Sequence, residues 1–450
     1  MCLLIVLIGL NVKAQCWTKV SGGYNHTIAL RSDGTLWGTG NNSYGQLCEF
    51  PSYNSYSFVR IGNDSDWQSV ASGNSSIHAI KINGTLWSWG ENDHGQLGDG
   101  TNENKYIPVQ IATETNWLTV ESGLDHSLAL KEDGTLWAWG YNSYGQLGDG
   151  TIITRNLPTQ IGTATNWVAI SAGHWHSLAI KSDGTLWTWG QNNFGQLGNG
   201  TTINKNIPTQ VGNATDWQSI SGGGFHSVAI KTNGTLWAWG YNYFGQLGNN
   251  NTINYSTPIA VGTSTNWQKT EAGNEFTLGK KTDGSIWAWG ENCCGQLNSN
   301  NTQVNFPTGI GIENNWQFIN AGFIHSLAIK TDGTLWTFGS NYFGQLGIGT
   351  IENNSYVLNQ ISCTVLGNEE FLANQKILIY PNPVKNILYI QNLNNLTIDK
   401  IIITDMMGKK VIEQNGGGSI NVQNLQQGTY VIQVLSGGNV FRDKFIKDAN

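Results

Sequence analysis

Short runs of apolar residues recur along this chain, each closed by glycine, asparagine or aspartate. One segment shows the plan. Trp167 to Ser171 is an apolar run, and HSLAIK (His176 to Lys181) follows a glycine-containing turn. TLWTWG (Thr185 to Gly190) follows Ser182-Asp183-Gly184, and Pro208 to Val211 ends the unit. The pattern predicts four short β-strands, with the Asp-Gly pair supplying the positive φ of a tight hairpin. Leu178, Ile180, Leu186, Trp187 and Trp189 place apolar side chains on both faces of the sheet. A sheet buried on both sides needs a neighbour on each.

The unit repeats. A Gly-Gln pair falls at Gly45, Gly95, Gly145, Gly195, Gly245, Gly295 and Gly344, at intervals of 50, 50, 50, 50, 50 and 49 residues. Units that cannot bury their own faces predict an all-β ring, a seven-bladed β-propeller over residues 16–363. An open solenoid would need polar caps, and neither terminal repeat is one. The first repeat opens at Trp17, the equivalent of Trp167, and the last ends near Ile361, the equivalent of Ile161. The chain thus begins where it would otherwise continue. Cys16 and Cys363 then fall three places apart in one shared loop, which predicts a disulfide clasping the ends, worth about 4–5 kcal/mol by loop entropy.

Outside the repeat the chain reads differently. Residues 1–15 carry an apolar run from Leu3 to Leu10 and then small and polar residues, which predicts a secretory signal peptide. They include no basic segment before that run, which implies a start codon further upstream. No other stretch is long and apolar enough to span a bilayer, so the chain is expected not to be membrane-spanning. Residues 364–375 read as a linker, and residues 376–450 alternate apolar and polar between turn signals, the pattern of a small C-terminal β-sandwich. Export permits disulfides, and five cysteines remain once Cys2 leaves with the signal, so one is unpaired. The vicinal Cys293-Cys294 reads as two small residues in a tolerant turn.

The recurring G-x-x-H-S-x-A-I-K-x-D-G-T-L-W-x-W-G-x-N-x-x-G-Q-L-G resembles the repeat of the regulator of chromosome condensation family, which implies a seven-bladed propeller. Departures are few: Ser76 and Phe276 replace the histidine, Asn83 and Asn233 the aspartate, Thr39 and Phe338 the second tryptophan. The tail carries Tyr380-Pro381-Asn382-Pro383-Val384, Asp405-Met406-Met407-Gly408-Lys409, Leu425-Gln426-Gln427-Gly428-Thr429-Tyr430 and Lys444-Phe445-Ile446-Lys447. These motifs are similar to the type A sorting domain of the type IX secretion system. That resemblance implies handling of residues 376–450 by the secretion machinery, and a product secreted or held at the outer-membrane surface of a Gram-negative bacterium.

Composition narrows the partner. Glycine (57), tryptophan (20) and only 12% charged residues suit many short strands packed through aromatics. The net charge is -7, and residues 16–363 hold 14 Lys and Arg against 23 Asp and Glu. Such a surface repels phosphate backbones, which argues against nucleic acid.

Strands that alternate direction bring the G-x-x-H turn and the W-G-x-N-x-x-G-Q loop to one face, where the residues vary from unit to unit. A partner without sevenfold symmetry is read by such positions. The binding candidates are Tyr24, Asn25, Leu124, Asp125, His174, Trp175, Phe225, Glu275 and Phe323 in the turns, with Tyr243 and Tyr342 in the loops. Tyr44, Tyr144, Phe194, Phe244 and Phe343, beside the recurring Gly-Gln, read instead as packing between blades. His26, His126, His176, His226 and His325 recur at a strand start and read as hydrogen-bonded scaffold, with no metal and no cofactor expected. The leading function is capture of an extracellular protein or glycan. Guanine-nucleotide exchange is what the family resemblance implies, but export removes such a partner. A polysaccharide-acting enzyme would need paired acids, and Asp125 and Glu275, the two acids of the turns, lie three blades apart.

Overall fold

The computed structural model describes residues 17–48, 54–350, 354–361, 377–381, 383–392, 398–405, 409–436 and 439–448. The signal segment 1–15, the linker 364–375 and the Cys16–Cys363 pairing lie outside them. The chain divides into two compact units, Met1–Thr364 and Val365–Asn450. Every regular element among the described residues is a β-strand, and no helix is long and apolar enough to cross a membrane.

The first unit contains seven four-stranded antiparallel sheets, each built from four consecutive strands. Blades 1 to 7 span residues 17–61, 67–111, 117–160, 167–210, 217–260, 267–309 and 316–361. In blade 4 the strands are Trp167–Ala172, His176–Lys181, Leu186–Gly190 and Lys205–Gln210. The outer strand therefore starts three residues before the expected Pro208. Proline lacks an amide donor but is tolerated at a sheet edge, where one side of the strand needs no partner. The edge pairing is also irregular: Thr188 faces Thr209 and Gly190 faces Lys205, with a bulge between.

Apolar side chains fill the space between successive sheets. Leu128, Leu130 and Leu136 of blade 3 meet Trp167, Ile170, Ala179 and Trp189 of blade 4 in one buried cluster. Polar locks cross the same interface. The Trp189 indole Nε1 and the Ser177 hydroxyl both donate to the Gln146 carbonyl of blade 3, at 2.8 and 2.7 Å. Ser177 also bonds His126 Nε2 of blade 3 at 3.0 Å. Asn142 and Gln146 shape the loop that carries this carbonyl: Asn142 Oδ1 accepts from the Leu147 amide at 3.0 Å, and Gln146 Oε1 from the Tyr144 amide at 3.0 Å.

The ring closes through the same contacts. Trp17, Val20 and Ala29 of blade 1 share a core with Leu327, Ile329 and Leu335 of blade 7. Thr27 takes the serine's place, bonding His325 Nε2 at 3.0 Å and the Gln345 carbonyl at 2.7 Å. At the tryptophan's place Thr39 donates to the Gly344 carbonyl at 2.8 Å, and Phe58 fills the volume, 5.0 Å from the Trp17 ring.

The second unit has a three-stranded sheet (Ile377–Tyr380, Ile387–Asn392, Ser419–Asn421) and a four-stranded one (Lys410–Asn415, Lys400–Asp405, Gly428–Ser436, Asn439–Lys447). Leu388, Ile390 and Ile420 of the first share a core with Ile401, Ile403, Ile432 and Phe445 of the second, the packing of a β-sandwich.

Candidate functional site

The first strand of each blade lines a central channel, and the G-x-x-H turns that leave those strands form its mouth. A backbone hydrogen bond joins each turn to the next. Tyr24 N donates to Asn74 O, Asn74 N to Leu124 O, Leu124 N to His174 O, His174 N to Gly223 O, Gly224 N to Gly273 O, Asn274 N to Phe323 O, and Phe323 N to Gly23 O. The glycine is required here. A Cβ on Gly173 would lie 2.2 Å from His176 Cε1 and 2.5 Å from the Gly223 carbonyl oxygen. This circle draws seven dissimilar side-chain pairs onto one rim.

Aromatic rings cover that rim. Tyr24 of blade 1 and Phe323 of blade 7 have centroids 3.9 Å apart, and His174, from the far side of the ring, stacks on Phe323 at 5.2 Å. His174 also meets Phe225 at 5.6 Å, and Trp175 meets Phe225 at 5.7 Å and Tyr144 at 5.6 Å. The band continues outward through Phe194, Tyr241 and Tyr243, with Phe194 4.8 Å from Tyr241. Tyr24 and Tyr243 are exposed; Trp175, Phe225 and Phe323 are half-buried. Tyr144 and Phe194 do reach the neighbouring blade, and they do so as members of this surface band.

Of the remaining sequence candidates, Leu124 lies half-buried at the channel mouth, and Asn25, half-buried in the blade 1 turn, accepts at its carbonyl from Asn41 N. Tyr342 is exposed on the blade 7 loop. The two acids occupy separate places, as the repeat count requires. Asp125 sits with Glu91, Asp93 and His94 between blades 2 and 3, and burial raises its carboxyl above the ordinary value. Glu275 sits with Glu291 and Tyr241 between blades 5 and 6; burial, then the Glu291 charge, push it up to about 7.

Several rim and channel residues escaped the sequence reading. Tyr141, Tyr241, Glu91 and Glu291 occupy the variable position of W-G-x-N, a signal visible in the repeat itself. Glu121, Lys269 and Glu271 point into the channel, a cavity of about 340 Å³. Lys269 pairs with Glu271 at 3.0 Å, while burial, then the Glu271 charge, push Glu121 up to about 7. For Glu121 and Glu271 the signal was a departure from the serine or alanine of Ser21, Ala71, Ser171 and Ser221; Lys269, two residues earlier in its strand, stands where Ser69, Thr119, Ala169 and Ser219 have small side chains.

The scaffold histidines face the blade interfaces. His126, His176, His226 and His325 bond a serine or threonine of the next blade at 2.9 to 3.0 Å. Among the described residues no three His, Cys, Asp or Glu side chains converge as a metal site would need.

Comparison with known proteins agrees with this architecture. Residues 6–215 match the RCC1-like domain, and residues 233–279 match the regulator of chromosome condensation (RCC1) repeat. A second model of that repeat matches residues 217–246, 267–296 and 316–345. Residues 378–448 match the secretion system C-terminal sorting domain. No curated protein matches the sequence.

Among solved structures, human WBSCR16 is 22% identical with a TM-score of 0.64, over 70% of this chain and 86% of that one. Yeast RCC1 (Prp20), solved with Kap60, is 20% identical with a TM-score of 0.65, over 81% and 86%. Prp20p of Saccharomyces cerevisiae, described with its binding to Gsp1p and histones, is 20% identical with a TM-score of 0.65, over 81% and 90%. At such identities the likeness shows the fold. The sorting domain marks the chain for type IX secretion, to the exterior or the outer-membrane surface. The chain belongs to the regulator of chromosome condensation repeat family and carries a secretion sorting domain behind its propeller.

Proposed function

We propose that this protein is an extracellular binding protein that holds a partner protein against its aromatic rim and performs no chemistry on it. The observation that carries this reading is the band of touching rings. It crosses blades 3 to 5 and meets the Tyr24, His174 and Phe323 cap over the channel mouth. Trp175, Phe225, Tyr24 and Phe323 belong to none of the buried clusters that join the blades. Large rings kept at a rim without serving the core are what interface hot spots are made of.

Charge indicates the kind of partner. No lysine or arginine occupies any turn or any of the seven loop positions equivalent to 141–144, whereas Glu91, Asp93, Asp125, Glu275 and Glu291 do. Carboxylates and aromatic faces together favour cations. The partner that suits this rim is a protein presenting lysine or arginine beside apolar side chains.

The full chain should bind basic aromatic peptides more tightly than neutral ones, with affinity falling as salt rises. Trp175→Ala and Tyr243→Ala should each weaken that binding about tenfold or more while leaving the melting temperature unchanged. Tighter binding of neutral polysaccharides than of basic peptides would assign the rim to glycan. Polysaccharide hydrolysis lost on changing Asp125 or Glu275 would make the protein an enzyme and overturn the proposal.

A further inference from the structure

The loop after the third strand of blade 6 departs from its relatives. Where the others end in Tyr44, His94, Tyr144, Phe194, Phe244 or Phe343, blade 6 has Cys294, with Cys293 before it. Consecutive side chains in extended backbone point to opposite sides. Here the turn gathers them, and the two sulfurs lie 3.0 Å apart, closer than sulfurs without a mutual interaction sit.

The surrounding loop is held in place. The Cys294 amide donates to Gln296 Oε1 at 2.9 Å, the Leu297 amide to Asn292 Oδ1 at 2.8 Å, and the Tyr356 hydroxyl of blade 7 to the Cys293 carbonyl at 3.0 Å. Cys293 is exposed, so one sulfur of the pair meets solvent, while Cys294 is buried behind it. The remaining described cysteine, Cys48, belongs to blade 1.

We propose that Cys293 and Cys294 are oxidised to a vicinal disulfide after export, making this loop a redox-labile element of the rim. Type IX secretion delivers the chain to a compartment where disulfides persist. The oxidant is a disulfide, either small-molecule or carried by a protein. The exposed Cys293, as thiolate, attacks one sulfur of that disulfide and expels the other as a thiolate. Cys294, losing its proton to solvent, then attacks the Cys293 sulfur of the mixed disulfide and expels the second thiolate. Two thiols have lost two protons and two electrons, and the oxidant's disulfide has become two thiols.

The geometry also sets the strength of the bond. Adjacent Cα atoms are about 3.8 Å apart, whereas unstrained disulfides keep them about 4.4–6.8 Å apart. A bond formed under that constraint is strained and easily reduced, the property of a regulatory disulfide. The proposal does not depend on what the rim binds.

The test uses the full chain, equilibrated with glutathione disulfide, then denatured, alkylated and digested for mass spectrometry. The peptide containing Cys293 and Cys294 should be unalkylated and lighter by two hydrogens, while Cys48 is alkylated and so reports complete labelling. Mild reduced glutathione, applied before denaturation, should make both cysteines alkylatable. In Cys293→Ser, Cys294 should be alkylated or carry glutathione. Alkylation of both cysteines in the oxidised wild-type chain would overturn the proposal, as would glutathione on each in place of a mutual bond.

Discussion

Buried imidazoles set the acid limit of this fold. Burial holds His126, His176, His226 and His325 down to about 3, and His26 and His78 to about 4. In the unfolded chain each titrates near the ordinary histidine value of about 6.5. Between that value and about 3–4 the unfolded state therefore takes up protons that the folded state refuses. Stability is full above the unfolded pKa and drains away as pH falls through this window. The melting temperature should drop steadily from about pH 7 to about pH 4, and His126→Phe, which copies Phe276 of blade 6, should flatten that slope. A slope unchanged by the substitution would show that this histidine does not supply it. Glu121 has the opposite sign, because a folded pKa raised to about 7 penalises the fold once the carboxyl ionises. Glu121→Gln should raise the melting temperature at about pH 8 and change it little at about pH 5. The scaffold role of the histidines was readable from their recurrence at one place in the repeat. What happens in blade 2 was not. Ser76 holds the histidine's place, and His78, two residues on and so on the same face, bonds the Gln96 carbonyl at 2.9 Å and Ser127 at 3.2 Å. Ile77 has displaced the hydroxyl that His26 would use, so both nitrogens of His26 are buried without a hydrogen-bond partner. Such an exchange between neighbouring positions follows from packing of two blades, which a repeat alignment taken one unit at a time does not display.

At the scale of the element, the strands were readable because four-residue apolar runs between Asp-Gly and Gly-containing turns leave little freedom of assignment. Asp133 Oδ1 accepts from the Thr135 amide at 3.0 Å and hydroxyl at 2.6 Å, and Thr135 Oγ1 accepts from Trp137 Nε1 at 2.9 Å. The hairpin is thereby set by residues within five positions of one another. The outer strand was the least readable element, since its pairing is bulged and its side chains are mostly half-exposed. The link between blades is also non-local: Ser177 bridges His126 and the Gln146 carbonyl, both from the preceding blade. Ser177→Ala would leave a buried imidazole nitrogen unpartnered. It should cost about 1–3 kcal/mol, measured as a lower denaturant midpoint at unchanged slope. A loss well below that would mean that water replaces the hydroxyl.

The whole molecule depends on the seam between blades 7 and 1 being equivalent to the other six. Trp17 N donates to Gly333 O at 3.1 Å across the seam, as Trp167 N does to Gly134 O within the chain at 3.1 Å. Every blade consists of its own four consecutive strands, so no strand is exchanged to fasten the ring. Closure was readable from where the period starts and stops, whereas the crowded rim was not, because it arises only when seven turns converge on one axis. If all seven junctions are alike, the position of the chain ends is unimportant to the ring. A circular permutant opened in the 162–166 connection, with the original ends joined by a short flexible linker, should fold to the same sheet content. Its melting temperature should lie within about 5 °C of the parent, because loop closure changes only logarithmically with length. Removing blade 7 (residues 316–361) is a different matter. It uncovers Trp17, Val20 and Ala29 on one side, and the blade 6 face that packs against Trp316 and Phe338 on the other. That truncated chain should aggregate or lose cooperative melting; a soluble, sharply melting six-bladed product would show that the blades readjust, and that the seam is more adaptable than its matching hydrogen bonds imply.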